Sequence, residues 1–395
     1  MINPTLRVFG WATYLCCSWM WCIGLFYPVL LYRDFGDIAW YFFVIPNVVG
    51  ASVVPWLIKS AKLSEEFTCE HSLACRFFSF VTILFQLFFM IWALISFGIT
   101  KSIVVITIFI CFFIFFLCST RILIASLFSF FFSILALLII FKLSDNAILI
   151  IPRQGEFGVK ELFGLLPVFL IGFFFCPYLD LTFHRAIKEN NGLSIKFIYV
   201  IAFLGLFLSL LILGLAYFPV AYHMFFGENI LPKSFLQFIF YLYLIVQISF
   251  TCIVHIHELL QQKIQCHTWV LFIFILISVL IINLFANFEI TLLGRSMHIR
   301  EVFYRCFLSF YGLVFPLYIW IFVVNAKFAT LKSQKWIAWL VVTLIVVPFY
   351  AIGFLGNPSM IIYVLPVSVL ILLLAPGIFL YLGCVFFNQK SIKSK

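Results

Sequence analysis

Apolar runs of about twenty residues, separated by short clusters of charged or turn-forming residues, repeat along nearly the whole chain. A helix needs about twenty such residues to cross roughly 30 Å of hydrocarbon. Cutting at the charge clusters predicts about twelve transmembrane helices: 9–31, 38–58, 76–99, 102–119, 122–141, 161–183, 195–218, 235–256, 269–288, 303–324, 336–356 and 360–386. We number these spans 1 to 12. Spans 3 to 5 are parted only by short turns at Lys101 and Arg121. The longest gap, about 143–160, leaves no room for a soluble head. The expectation is therefore one all-α polytopic membrane domain over 1–395, with any chemistry inside the membrane or in short loops.

Composition sharpens this. The chain is 66% hydrophobic and 10% charged, whereas soluble domains hold roughly 45–50% apolar and about 25% charged residues. Too little polar surface is present to cover a water-facing exterior. A formal charge of +10 in such a chain marks basic loops on one side of the membrane, not a nucleic-acid partner. With the N-terminus inside, 15 of the 24 Lys and Arg residues fall in inner segments, which predicts both termini in the cytoplasm and a multi-pass protein of the bacterial cytoplasmic membrane. The loops 142–160 and 289–302 set basic residues on the outer side, partly balanced by Asp145, Glu156, Glu161, Glu289 and Glu301. The opening MINPTLR precedes an apolar run too long for a typical signal peptide and reads as a retained first helix. The 55 phenylalanines carry no functional message. Most of the 12 cysteines, among them Cys16, Cys17, Cys22, Cys111, Cys118, Cys176, Cys252 and Cys384, lie in apolar runs and read as small hydrophobes. Cys69, Cys75 and Cys266 fall in or beside inner loops, and no disulfide or zinc spacing is visible.

Interrupted helices locate candidate sites. A proline frees the carbonyl four residues earlier, and in hydrocarbon that group must find protein, water or an ion. Span 2 reads F-F-V-I-P-N-V-V-G-A-S-V-V-P, placing Pro46, Asn47, Gly50 and Pro55 near mid-membrane. Span 6 reads G-F-F-F-C-P-Y-L-D-L-T-F-H-R, with Pro177 after Gly172. Span 1 holds the milder pair Gly24 and Pro28. Each kink has a packing explanation as well as a functional one, and span 2, where the Asn47 amide follows the break directly, is the stronger functional case.

Among ionisable residues Asp180 is the most informative. It sits roughly 7 to 8 Å from the inner end of span 6, at about 1.5 Å per residue, and an intramembrane carboxyl reads as functional by default. Its two readings are an ion, proton or gating role, and a structural pair with His184 or Arg185. Span 8 carries Tyr243, Gln247, Thr251, His255 and Glu258 at helical steps on one face. Such a stripe faces a cavity or bonds between helices, since lipid cannot satisfy it. Gln86 in span 3, and Asn283 with Asn287 in span 9, read as weaker candidates or packing glue. His255 and His257 point about 200° apart on a helix and cannot readily share a metal, even with Cys266 and His267 nearby. No phosphate-binding loop, G-x-S-x-G elbow or H-E-x-x-H pair occurs.

Twelve helices with the N-terminus inside, a division after span 5, and breaks in spans 1 and 6 together resemble the LeuT-fold, or amino acid/polyamine/organocation, class of secondary transporters. That resemblance implies two inverted five-helix repeats, 9–141 and 161–324, with 336–386 as two additional helices. It further implies that Gly24, Asp180 and Thr251 lie on the site-forming helices. P-N-V-V-G-A in span 2 is weakly similar to the first core helix of sodium/solute symporters, a register that would instead pair spans 2 and 7 and put the N-terminus outside. The function implied is an ion-coupled permease for a small organic solute, driven by Na+ or H+, with no resident cofactor, no catalytic step and no obligate protein partner beyond the lipid bilayer. Its candidate binding or coupling residues are Asn47, Gly50, Gly24, Gln86, Asp180, Gln247 and Thr251. Two competing readings are a major-facilitator transporter, whose G-x-x-x-D-R-x-G-R-R pattern the loop K-S-A-K-L-S-E-E-F lacks, and a membrane-embedded lipid or glycan enzyme, which needs clustered acids or histidines at one interface.

Overall fold

The computed structural model describes residues 4–96, 99–119, 121–143, 157–190, 195–226, 234–262, 266–285, 288–326 and 332–393. Asp145, Glu156, Lys263, Asn287, Lys327 and Lys395 lie outside them. Nine helices among the described residues are long and apolar enough to cross a membrane, and a bent pair makes a tenth crossing. Two shorter apolar helices, Ile103–Leu117 and Thr268–Asn283, stand where spans 4 and 9 were expected. The chain is thus an integral, multi-pass helical protein with nine to ten qualifying spans in place of the predicted twelve. Among the described residues it departs from all-α in one place. Inside the loop expected at 289–302, β1 (Glu289–Leu292) pairs antiparallel with β2 (Arg295–His298). Their two-residue turn sets both Leu293 (φ 51°) and Gly294 (φ 81°) in the left-handed region, as a tight hairpin turn of matching twist requires.

Contacts group the chain into two compact units, Met1–Glu156 with Leu179–Asn287, and Phe157–Tyr178 with Phe288–Lys395.

In the first unit, α1 (Pro4–Ser18) and α2 (Cys22–Phe35) meet at a 54° bend. There follow α3 (Ile38–Ser52), the short α4 (Val54–Leu57), α5 (Ala61–Glu70), α6 (Ser72–Ile95), α7 (Ile99–Leu117) and α8 (Ile122–Leu143). Ser60 caps α5 by accepting from the Leu63 N–H at 3.2 Å. The most prominent break predicted from sequence does not form. Pro46 lies inside α3, which continues to Ser52, with only Val53 between it and α4. Gly24 and Pro28 lie inside α2, so the break in span 1 falls earlier, at Trp19–Trp21. Membrane helices tolerate an internal proline when neighbours re-satisfy the freed backbone, whereas the true break contains neither proline nor glycine.

The second unit contains α9 (Val159–Phe175), which ends in a 3-10 turn over Cys176–Leu179 at the predicted Pro177 break. From Leu179 the chain belongs to the first unit, where α10 (Leu181–Glu189), α11 (Ile195–Phe226), α12 (Ser234–Gln261) and α13 (Cys266–Phe285) follow. A π stretch, Ile201–Phe207, interrupts the α-helical geometry of α11. The α12 span is 83% buried and forms the centre of its unit, while α7 and α13 present Ile103, Ile110, Ile114, Val270, Phe274 and Ile281 outward, as a lipid-facing surface does.

After the hairpin the second unit adds α14 (Ile299–Val324), α15 (Lys332–Leu355) and α16 (Ile361–Lys393). Close backbone approach holds it together. A Cβ on Gly164 of α9 would stand 2.7 Å from the Ile361 carbonyl oxygen at the start of α16, and one on Gly172 would stand 2.9 Å from the Tyr311 carbonyl. Small residues at helix contacts serve this purpose in membranes, where dispersion packing replaces the hydrophobic effect. Gly164→Ala is expected to destabilise the protein by about 1–3 kcal/mol through overpacking, whereas Gly377→Ala, with nothing within 4 Å of the new methyl, leaves thermal unfolding in detergent unchanged or slightly raised.

Candidate functional site

The unwound segment Trp19-Met20-Trp21 organises the polar interior of the first unit. Unwinding leaves a backbone N–H and backbone carbonyls short of helical partners, and the tryptophans of the break bring buried indole N–H groups that also need acceptors. Side chains from three other helices and the break itself supply the partners. The Cys22 N–H, first of α2, donates to Gln86 Oε1 at 3.1 Å. The Trp19 indole donates to Asn47 Oδ1 at 2.7 Å, and the Trp21 indole returns to the Ser18 carbonyl at 2.6 Å. Thr251 Oγ1 donates to the Cys17 carbonyl at 3.2 Å, satisfying the last turn of α1. Gln247, one turn away on α12, donates through Nε2 to Ser133 Oγ at 2.6 Å.

Beside the break lies the start of α10. Asp180 is fully buried and caps α10, its Oδ1 accepting from the Thr182 N–H at 2.8 Å and the Thr182 hydroxyl at 2.7 Å. Thr182 Oγ1 also approaches Ser18 Oγ at 3.1 Å, and the Phe183 ring packs on Trp19 with centroids 5.0 Å apart. Aromatic contacts continue from Trp19 to Trp21 (4.3 Å), then to Phe78 (5.2 Å) and the His255 ring (6.1 Å). His255 Nδ1 is bonded to Ser79 Oγ at 3.1 Å.

Five of the seven residues singled out from sequence therefore converge on one place: Asn47, Gln86 and Thr251 bond the broken helix directly, Gln247 lies alongside, and Asp180 caps the helix that abuts it. Gly24 sits one step inside α2, where an added Cβ would stand 3.3 Å from Met20 Sδ. Gly50 is buried in α3 one turn beyond Asn47. The stripe on α12 faces the interior along its whole length, with Tyr243 packed on Tyr217 (5.7 Å) and Glu258 Oε1 3.6 Å from Arg185 Nη1. Asn283 acts as glue, donating to the Phe88 carbonyl at 2.8 Å. Neither pairing envisaged for Asp180 occurs. His184 Nδ1 is bonded to Ser64 Oγ at 2.9 Å beneath a stacked Phe67 ring, and Arg185 serves Glu189, Glu258 and Gln261.

Sequence reasoning missed Ser18, Trp19, Trp21, Thr182 and Ser133. Nothing in C-C-S-W-M-W-C distinguishes it from a continuous apolar helix. The only local hint is two tryptophans beside a serine at mid-span, each carrying an N–H that must be met when buried.

Four buried polar atoms among these residues have no hydrogen-bond partner in the protein: Asp180 Oδ2, Gln86 Nε2, Gln247 Oε1 and His255 Nε2. A buried polar atom left unpaired costs about 1–3 kcal/mol, so these four groups keep hydrogen-bonding capacity that the protein itself does not use. No group of three His, Cys, Asp or Glu among the described residues could hold a metal ion. In the second unit a cavity of about 110 Å³ adjoins Arg305 and Tyr350, where Arg305 is already engaged by Glu301 at 2.8 Å.

Comparison with known proteins gives no match among family models, curated proteins or solved structures.

The geometry makes Gln86 a support of the break. Gln86→Ala is expected to cost about 1–3 kcal/mol by orphaning the Cys22 N–H, read as a lowered unfolding temperature in detergent. Ser278→Ala, on the exposed face of α13, leaves it unchanged.

Proposed function

We propose that the protein is a secondary transporter for a small organic solute, coupled to H+ or Na+ and working by alternating access around the broken segment of α1 and α2, with no catalytic step. One observation carries the reading. The end of α1 at its break meets the start of α10, the helix that follows the Cys176–Leu179 turn: Ser18 and Thr182 touch and Trp19 packs on Phe183. Discontinuous helices give a transporter backbone and side-chain groups that bind solute or ion at mid-membrane and hinges about which the flanking halves move. The four unpartnered polar atoms are the groups a solute and its coupling ion would satisfy.

Within this proposal the shorter apolar helices α7 and α13 complete a set of twelve spans, the arrangement is LeuT-like with inverted repeats, and both termini face the cytoplasm of a bacterial cell. The register starting at span 1 is preferred over the one starting at span 2, because the break lies in span 1 while α3 runs through Pro46. Asn47, Gln86, Gln247 and Thr251 shape the site, and Asp180 is its charged member.

The test is gradient-driven uptake by proteoliposomes, supplied with a panel of radiolabelled amino acids under an inward H+ or Na+ gradient. Asn47→Ala, Asp180→Asn and Gln247→Ala are each expected to reduce accumulation to background while folded protein is retained by size-exclusion chromatography. Undiminished accumulation in all three variants refutes the site, and no accumulation of any panel member by the wild type counts against this solute class.

A further inference from the structure

Four carboxyl groups among the described residues are buried: Asp34, Asp180, Glu258 and Glu301. Three have an arginine. Asp34 Oδ1 lies 2.8 Å from Arg33 Nη2, Glu301 Oε1 lies 2.8 Å from Arg305 Nη2, and Glu258 Oε1 lies 3.6 Å from Arg185 Nη1. Asp180, at 0% exposure, has none. Its Oδ1 is occupied by the two donors of Thr182 and its Oδ2 by nothing in the protein.

The surroundings of α10 supply no substitute charge. The buried titratable side chains of the elements that contact α10 include Tyr14 on α1, Cys75 on α6 and Glu258 on α12, none of them cationic. The face of α5 meets α10 through Ser64, Phe67 and Thr68, of which Ser64 and Phe67 hold His184 and Thr68 accepts from Lys188 at 2.9 Å. On α10 itself Arg185 is taken by Glu189 and Glu258. The two Thr182 donors and the α10 N-terminus favour the carboxylate, but a charge so deeply buried with no cationic partner is costly and the group neutralises instead.

We infer that Asp180 is the proton-carrying site of the protein: its carboxyl holds one proton on Oδ2 in this closed arrangement and gives it up when α10 and the broken segment part enough to admit water. The step is one O–H bond broken, the proton passing to water and the carboxylate left solvated and still capped onto Thr182. Release on one side and uptake on the other would make the same carboxyl the coupling element. This deepens the transport reading and takes its functional meaning from it, but the protonation itself does not depend on transport.

The test is infrared spectroscopy of the full chain reconstituted in lipid, without solute, at neutral pH and in KCl. A carbonyl stretching band of a protonated carboxyl is expected in the wild type, absent in Asp180→Asn and retained in Glu258→Gln. Should Asp180→Asn fail to fold, Thr182→Val decides: it removes one donor to Oδ1 and keeps the backbone cap, so a band belonging to Asp180 shifts to higher frequency. A band missing from the wild type, or one untouched by both Asp180→Asn and Thr182→Val, overturns the inference. So does a band that disappears when NaCl replaces KCl, which assigns the site to sodium. A band without uptake of any solute leaves the proton site standing and removes the transport reading; uptake without a band does the reverse.

Discussion

The backbone N–H of Cys22 is a small group with a large structural consequence. It opens α2 after three residues that belong to no helix, at a residue with 0% exposure. Its acceptor is a glutamine from another helix, Gln86. That single requirement, a donor freed by unwinding and met by a distant side chain, fixes the placement of α6 against α2. The indole of Trp19 imposes a similar demand on Asn47, and the Cys17 carbonyl a similar one on Thr251. The bend of the first helix and the polar residues of three others are one cooperative arrangement, because leaving any of these groups unpaired costs more than the bond itself contributes.

The same rule distinguishes structural polarity from polarity held in reserve. Ser64 and His184 spend their hydrogen-bonding capacity on one another across helices. Asp180, Gln86, Gln247 and His255 each spend one side of the group and leave the other without a protein partner. Half-satisfied groups on the helices around the break keep hydrogen-bonding capacity that a fully satisfied network lacks.

Much of the membrane architecture was legible in the chain because hydrocarbon thickness imposes a length on every span, and the charge clusters mark where each ends. The stripe on α12 was legible for a related reason: lipid cannot satisfy Gln247, Thr251 or His255, so a period of four already orients that helix. Span 2 shows where this reasoning fails. Pro46 looked like a break, but a proline only removes one donor, and α3 continues past it.

Sequence by itself determined that the chain is helical and membrane-spanning, which residues are too polar for lipid, and that Pro177 interrupts the sixth span, since each follows from local transfer or steric terms. Only the tertiary structure decided that the first helix opens at Trp19–Trp21, that Asn47, Gln86 and Thr251 meet there, and that Asp180 stands without an arginine. Those outcomes rest on pairings between residues far apart in the chain, such as Trp19 with Asn47 and Cys22 with Gln86, and no local propensity encodes a partner that arrives from another helix.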